Sequence, residues 1–278
     1  MKKMEVSIDV VCRSLEVPRS RFYREPRKMQ CNDDEMLLAK IEKVVLCEPG
    51  SGTRRVSKSL SMSGTTIGRR RVQRIMRENS LLCHVKKLWT KTTNSTHGHK
   101  RYTNLIKGLL LSEPDRVFVS DITYIPLPKG FCFLAVVLDA FTRKVVGYNV
   151  SRNIDAELPI KALRNALRDR KPKAGWIHHS DQGVQYACNG YTDLVLRNNG
   201  QISMSSTGSP TQNAKAESFF ASLKKEYVHL ERFETFESAK NGIYRYINGY
   251  YNTRRLHSSL GYMSPVNYEK SLNNRVAA

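Results

Sequence analysis

Residues 116–152 read RVFVSDITYIPLPKGFCFLAVVLDAFTRKVVGYNVSR and contain three runs rich in β-branched and aromatic residues. Residues of these types favour strands, and turn-forming residues bound each run. Lys129 and Gly130 join the first two runs tightly, and residues 141–144 join the second run to the third. Connections this short predict an antiparallel meander of three strands.

Helical and strand patterns alternate after this meander. Helices are predicted in DAELPIKALRNALRDR (155–170), YTDLVLRNN (191–199), QNAKAESFFASLKKEYV (212–228) and ETFESAKNGIYRYINGYYN (234–252), and strands in GWIHHSD (175–181) and QISMS (201–205). Together these patterns predict an α/β fold in which helices flank a mixed five-stranded sheet.

Composition divides the chain into four parts. Residues 1–30 carry a short helical pattern that breaks at Pro18, which is only a weak helix-turn-helix signal. Residues 31–83 predict a small all-α helix-turn-helix region that binds DNA. Residues 84–112 are typical of a basic linker, and residues 113–278 hold the sheet and a C-terminal helical tail. The apolar face of the first helix in the second part comprises Leu37, Ile41, Val44 and Val45.

The charge of the chain favours nucleic acid as a partner. Lysine and arginine number 46 against 25 acidic residues, a formal net charge of +21, and such an excess attracts polyanions. The alternatives are a solvated basic surface and an association with ribosomes or membranes. Five arginines crowd one short predicted helix and repel one another, so we expect them to contact phosphates: Arg69, Arg70, Arg71, Arg74 and Arg77.

Several other classes of protein are disfavoured. The six cysteines are scattered and form no C-x-x-C pair, which argues against a zinc ribbon or a disulfide framework. His84, His97 and His99 lack nearby cysteines that would complete a zinc site, and solvated linker histidines are the preferred interpretation. No apolar run is long enough to span a membrane, and the N-terminus does not resemble a signal peptide. We therefore expect a cytoplasmic protein without a membrane partner.

Three carboxylates are candidates for chemistry. Asp121 lies within a predicted strand among apolar neighbours, Asp181 ends a second strand just before Gly183, and Glu217 lies in a predicted helix. Taken singly they are equally consistent with a solvated strand aspartate, a helix-capping aspartate and a solvated helix glutamate. Taken together, two strand aspartates and one helix glutamate can converge and share two Mg²⁺ ions ~4 Å apart, the arrangement used for in-line phosphoryl displacement.

Ordered motifs extend this interpretation. The chain contains SDITYI, HHSDQGVQY and GSPTQNAKAESFFASLKKE around the three carboxylates, with 35 residues between Asp181 and Glu217. It also contains GSGTRRVSKSLSMSGTTIGRRRVQRIMREN and a tail, YINGYYNTRRLHSSLGYMSP. From roughly residue 33 to 268 the sequence resembles the OrfB-type transposases of bacterial insertion-sequence family three, within the retroviral-integrase-like DDE group. It departs from their pattern at Val119, usually tryptophan, and at Gln212, usually aspartate.

The resemblance implies a ribonuclease H-like integrase core and a metal-dependent DNA transposase. Such an enzyme hydrolyses one strand at each element end and joins the freed 3′-hydroxyl to another phosphodiester. The implied catalytic and metal-binding set is Asp121, Asp181 and Glu217, with two Mg²⁺ ions or Mn²⁺ as a substitute. The implied partners are terminal inverted repeats, target DNA, at least one further copy of the chain, and a fusion partner from the upstream reading frame.

Supporting roles follow for a few other residues. Lys224 shares a helical face with Glu217 and is predicted to contact terminal phosphates, and Asn213 to orient the glutamate helix. His179 either tunes the metal site or is a packed core histidine. The tail residues predicted to hold the DNA backbone are Arg254, Arg255 and His257. Glu226 is an alternative third carboxylate.

Two alternative functions stay open at this point. One is a nuclease of the ribonuclease H fold that hydrolyses DNA without joining it. The other is a DNA-binding regulator of transposition that lacks catalysis.

Overall fold

The computed structural model describes residues 8–19, 31–82, 98–206 and 213–276. Residues 20–30 of the N-terminal part and residues 84–97 of the linker, with His84 and His97, lie outside these residues. In the described part of the chain before the sheet, the helices are α1 (Ile8–Ser14), α2 (Cys31–Cys47), α3 (Thr53–Met62) and α4 (Arg69–Glu78).

Helices α2, α3 and α4 form a small core of their own. Its buried members are Ile41, Val56, Leu60, Val72, Ile75 and Met76. The apolar face predicted for α2 packs on this cluster, with Ile41 at its centre. The predicted all-α region therefore has its own hydrophobic core, which leaves the charged side of α4 on the surface.

The five strands form one mixed sheet. They are β1 (Val117–Leu127), β2 (Gly130–Asp139), β3 (Val145–Ser151), β4 (Ile177–Ser180) and β5 (Gln201–Met204). Their order is β3-β2-β1-β4-β5. Strands β1, β2 and β3 pair antiparallel, which confirms the predicted meander, while β4 and β5 run parallel to β1. Strand β1 is therefore central, and a parallel neighbour lies beside it.

Helices cover both faces of the sheet. They are α5 (Glu157–Arg170), α6 (Val184–Ala187), α7 (Asn189–Arg197), α8 (Ala214–Leu223), α9 (Phe236–Tyr244) and α10 (Pro265–Val276). Helices α5, α6 and α7 pack with Phe118 and Ile122 of β1. Helices α8 and α9 pack with Val117 and Val119, on the opposite face. Alternation along β1 assigns Asp121 to the face covered by α8.

Two predicted helices end in wider turns. A π-helical segment, Lys224–Val228, continues α8, and a second, Arg245–Tyr251, continues α9. Such segments are rare and are frequent at functional positions. Helical periodicity of 3.6 residues does not distinguish them from ordinary α-helix, and the sequence interpretation did not anticipate them.

Two further observations concern the part of the chain that the structure describes. None of its helices is long and apolar enough to cross a membrane. Cys12, Cys47, Cys132 and Cys188 are free thiols.

Candidate active site

Asp121 and Asp181 come from neighbouring strands and meet at one place. Strands β1 and β4 pair in parallel with Val119 opposite His179, and each aspartate lies two residues further along its chain. Both side chains line a cavity of about 10 Å³, together with Ile154. That volume suits about one water-sized particle. The predicted convergence of these two carboxylates agrees with this geometry.

Backbone amides orient the two aspartates. The amide of Ile122 donates to Oδ1 of Asp121 at 2.8 Å, and the amide of Gly183 donates to Oδ1 of Asp181 at 3.0 Å. A Cβ atom on Gly183 would lie only 3.0 Å from the same Oδ1. Glycine at this position therefore allows the Asp181 carboxylate to sit against the turn that follows β4.

The surroundings of Asp121 disfavour its ionised form. Burial, and next the charge of Asp181, raise the pKa of Asp121 to about 8. The charge of Glu217 adds to these effects, whereas the hydrogen bond from Ile122 and the charge of Lys224 oppose them. A nearby carboxylate raises the pKa of a carboxyl group in this way. The donor set consists of carboxylate oxygens, the ligands that Mg²⁺ prefers in proteins.

Glu217 lies near this pair but is not part of one cluster with it. It is an exposed residue in the first turn of α8, and burial raises its pKa. Within residues 8–19, 31–82, 98–206 and 213–276, no group of three or more His, Cys, Asp or Glu side chains is close enough to hold a metal ion. The structure thus brings Asp121 and Asp181 together and leaves Glu217 within electrostatic reach only.

Asn213 connects the glutamate helix to the aspartate strand. It is the residue that precedes α8, and its side-chain amide donates to the carbonyl of Ser120 at 3.1 Å. Ser120 directly precedes Asp121, and the hydrogen bond is buried. The predicted orienting role of Asn213 therefore has a defined contact.

Lys224 lies beside the same carboxylates. Its Nζ is 4.3 Å from the centre of the Tyr124 ring, in a cation–π contact. Burial lowers the pKa of Lys224, and the nearby Tyr124 and Asp121 oppose that decrease. A cation in this position is suited to hold a phosphate next to the aspartates.

Glu226 is committed elsewhere and is a poor alternative third carboxylate. Arg255 binds both of its oxygens, each at 2.8 Å, and Arg55 of α3 binds it at 2.9 Å. The Tyr246 hydroxyl donates to it at 3.1 Å. Burial acts to raise the pKa of Glu226, but the hydrogen bonds and charges of the two arginines outweigh it and hold the pKa below its usual value.

Two of the three predicted DNA contacts in the tail have partners within the protein. Arg255 is partly buried against Glu226, and the buried His257 packs edge-to-face on Tyr251 with ring centres 4.9 Å apart. Burial and the charge of Arg255 lower the pKa of His257 to about 3, so this imidazole is neutral. These side chains stabilise the interior, whereas Arg254 is exposed and its DNA contact stays a prediction.

The arginines of α4 divide into two groups. Asp34 of α2 binds Arg71 at 2.7 Å and Arg74 at 2.6 Å, so these two have an anionic partner within the chain that the sequence interpretation did not foresee. The exposed arginines of the helix are Arg69, Arg70 and Arg77. Their predicted contact with phosphates is therefore better supported than that of Arg71 and Arg74.

Two histidines of β4 form a buried hydrogen-bond network behind the aspartates. His179 Nδ1 is 2.8 Å from the Ser203 hydroxyl, which favours the packed core histidine over the tuning role. His178 Nε2 lies 2.9 Å from the Ser120 hydroxyl and 2.7 Å from the Tyr191 hydroxyl. The His178 network braces the residue before Asp121. The sequence signal for it was the doubled histidine, but its partners are distant in the chain.

Comparison with known families matches both parts of this molecule. An integrase core domain family matches residues 112–210, and a second integrase core family matches residues 198–265. An HTH-like domain family matches residues 32–87, the region of α2, α3 and α4.

Relatives from insertion sequences cover almost the whole chain. The uncharacterized 31 kDa protein of insertion element IS600 from Shigella sonnei is 34% identical, over 96% of this chain and 100% of the relative. The transposase for insertion sequence element IS904 from Lactococcus lactis is 35% identical, over 90% and 99%. Transposase InsF for insertion sequence IS3A from Escherichia coli is 32% identical, over 95% and 94%. This chain belongs to the insertion-sequence transposases.

Family membership explains the order of the parts. The transposase has a helix-turn-helix region followed by an integrase core, and its core is the ribonuclease H-like α/β sheet that the motifs implied. This confirms the resemblance and the predicted fold class. The integrase core family is of the polynucleotidyl transferase type.

Proposed function

We propose that the transposase cuts DNA at the ends of its element and joins the freed 3′-hydroxyl to target DNA, with Asp121, Asp181 and Glu217 as catalytic carboxylates. The observation that carries this proposal is the juxtaposition of Asp121 and Asp181 at one small cavity. Burial and the charge of Asp181 disfavour the ionised form of Asp121, and a bound cation would offset both effects. Relatives named as transposases for insertion sequences support the reaction.

Asp121 and Asp181 would hold the divalent cations, Mg²⁺ or Mn²⁺ as a substitute, with Glu217 as the third carboxylate. When bound, two such ions supply activation of the attacking oxygen and stabilisation of the leaving oxygen. Glu217 has an exposed side chain at the start of α8, so it can turn towards the aspartates without disturbing the core.

The surrounding side chains position the substrate. Asn213 fixes the start of α8 on β1. Lys224 would hold a non-bridging phosphate oxygen beside Asp121, because its ammonium group lies within electrostatic reach of that carboxylate. Arg69, Arg70, Arg77 and Arg254 would bind the DNA backbone, since all four are exposed.

The partners follow from the reaction. The transposase would bind terminal inverted repeats and target DNA, and synapsis of two element ends requires at least two copies of the chain. We also propose that the transposase has a fusion partner from the upstream reading frame and acts in the cytoplasm. We place the boundary between linker and core near residue 113.

The test is a cleavage and joining assay on labelled duplexes that carry the inverted repeats flanking the gene. With Mg²⁺ we expect wild-type protein to give nicked and joined products. Asp121→Asn, Asp181→Asn and Glu217→Gln should each lose both products, while Asp193→Asn, at an exposed carboxylate of α7, retains them.

Three outcomes would count against the proposal. Full activity of Asp181→Asn would show that catalysis does not need the aspartate pair. Full activity of Glu217→Gln would show that Glu217 is not the third catalytic carboxylate. Nicked product without any joined product would identify a nuclease instead of a transposase.

A further inference from the structure

A cleft separates the helix-turn-helix region from the integrase core. One wall is the turn before α3 and the starts of α3 and α4, and the other is the side of α8 that carries Ser218 and Ser222. The cleft has a volume of about 500 Å³. The cleft is distinct from the cavity between Asp121 and Asp181, because the two have no lining residue in common.

The cleft has a surplus of positive charge. Its charged lining residues are Arg54, Arg55, Arg69, Lys225, Arg255 and Glu226. The single carboxylate, Glu226, is bound by both Arg55 and Arg255. For Arg54, Arg69 and Lys225, no carboxylate of the described residues lies within 4.0 Å. Five cations against one anion leave a site that attracts a further anion.

Hydrogen bonds and ion pairs hold the floor of the cleft in place. Arg55 Nη2 donates to the Gly50 carbonyl at 3.1 Å as well as to Glu226. Its Nη1 is buried and has no hydrogen-bond partner among the described residues. Gly50 has a φ of +71° and approaches so closely that a Cβ there would lie 3.1 Å from the Glu226 Cα. The two domains are thus held together at the floor, and one guanidinium nitrogen still has donor capacity.

The N-termini of two helices add to the positive electrostatic potential of the cleft. Helices α3 and α4 begin after Gly52 and Gly68, and no side chain caps either helix. Gly52 and Arg69, the first residue of α4, both line the cleft. Uncapped amides at a helix start favour an anion, in addition to the charges of the arginines and the lysine.

We infer that this cleft binds a backbone phosphate of the DNA substrate and holds the strand between the helix-turn-helix region and the catalytic carboxylates. The inference rests on the proposed function. Ser218 of the cleft wall directly follows Glu217, so a strand that leaves the cleft along α8 reaches the carboxylates within about one helix diameter, ~10 Å. Arg54 and Lys225, one from each wall, are the residues that this contact needs most.

The test measures binding of the full chain to a short fluorescein-labelled DNA duplex of arbitrary sequence, by anisotropy at several salt concentrations without a divalent metal ion. The variant combines Arg54→Ala with Lys225→Ala. We expect affinity to fall by about tenfold or more, and the slope of log affinity against log salt to decrease by about 2, because each lost phosphate contact contributes about 0.9.

Two matched proteins serve as controls. Lys161→Ala with Arg197→Ala removes the same charge from exposed positions of α5 and α7, on the other face of the sheet, and should change the slope by less than about 0.5. Arg54→Lys with Lys225→Arg keeps both charges and should restore affinity, which separates a lost contact from a folding defect.

A wild-type slope in the cleft variant, or an equal loss in the opposite-face variant, would overturn the inference. Either result leaves the proposed function untouched, because Asp181→Asn is scored by cleavage and not by binding. Conversely, a wild-type protein that binds DNA through the cleft and never cuts or joins it would refute the proposed function alone.

Discussion

Asp121 and Glu226 lie on the same side of the protein, but their surroundings shift the pKa of the two carboxyl groups in opposite directions. Glu226 is enclosed by two arginines and a tyrosine hydroxyl, and its pKa is held below the usual value although burial acts to raise it. Asp121 faces Asp181, and its pKa is raised to about 8. The fold stabilises the ionised form of Glu226 and disfavours the ionised form of Asp121. A strongly perturbed pKa of this kind is typical of functional sites.

The largest expected effect comes from removing the Glu226 carboxylate, which forms ion pairs with Arg55 and Arg255. Glu226→Ala leaves Arg55 and Arg255 buried without their shared anion, so we expect the free energy of unfolding to fall by about 3–5 kcal/mol. Urea denaturation measures this. Glu231→Ala, at an exposed glutamate of the same region, should change it by less than about 0.5 kcal/mol. A similar small change for Glu226→Ala would mean that the ion-pair cluster does not join the domains.

A smaller effect is expected from displacing one aspartate without changing its charge. In Gly183→Ala the new Cβ lies 3.0 Å from Asp181 Oδ1, which forces the carboxylate to shift. We expect cleavage to slow by up to about a hundredfold, the loss that a misplacement of ~1 Å can cause, with little change in thermal stability. Gly249→Ala, where a Cβ meets no atom within 4 Å, is the matched control. Equal rates for both variants would show that the position of Asp181 is unimportant.

The pH dependence of stability tests the pairing of Glu226 with the two arginines. Because the folded-state pKa of Glu226 lies below the ordinary value of 4.5, its ionised form stabilises the fold above about pH 4.5. This contribution is lost as pH falls through the lower folded-state pKa. We expect Glu226→Gln to show a shallower loss of unfolding free energy than wild type in this acid range. Parallel curves for the two proteins would contradict the assignment.

The smallest expected effect is a gain in stability. Asp121→Asn removes the cost of burying an ionisable carboxyl group beside Asp181, and we expect the metal-free protein to become more stable by about 1 kcal/mol while cleavage is lost. Thermal unfolding in EDTA measures the change. A loss of stability instead would indicate that Asp121 is a structural carboxylate like Glu226.

The sequence predicted the sheet better than it predicted the contacts between domains. Lys129–Gly130 and the alternation around Asp121 are local signals, and they were sufficient for the meander and for placing Asp121 near Asp181. The pairing of Glu226 with Arg55 joins residues far apart in the chain, so no local pattern contains it. The pairing of Arg255 with Glu226 was likewise not predicted, because a basic tail motif does not show which carboxylate lies beside it.

We propose that Asp121 and Asp181 share a divalent cation, and a crystal soaked in Mn²⁺ provides the test. We expect an anomalous scattering peak that is coordinated by both aspartates and is absent from Asp181→Asn crystals. Manganese bound elsewhere, or no peak between two well-ordered aspartates in the wild type, would contradict it.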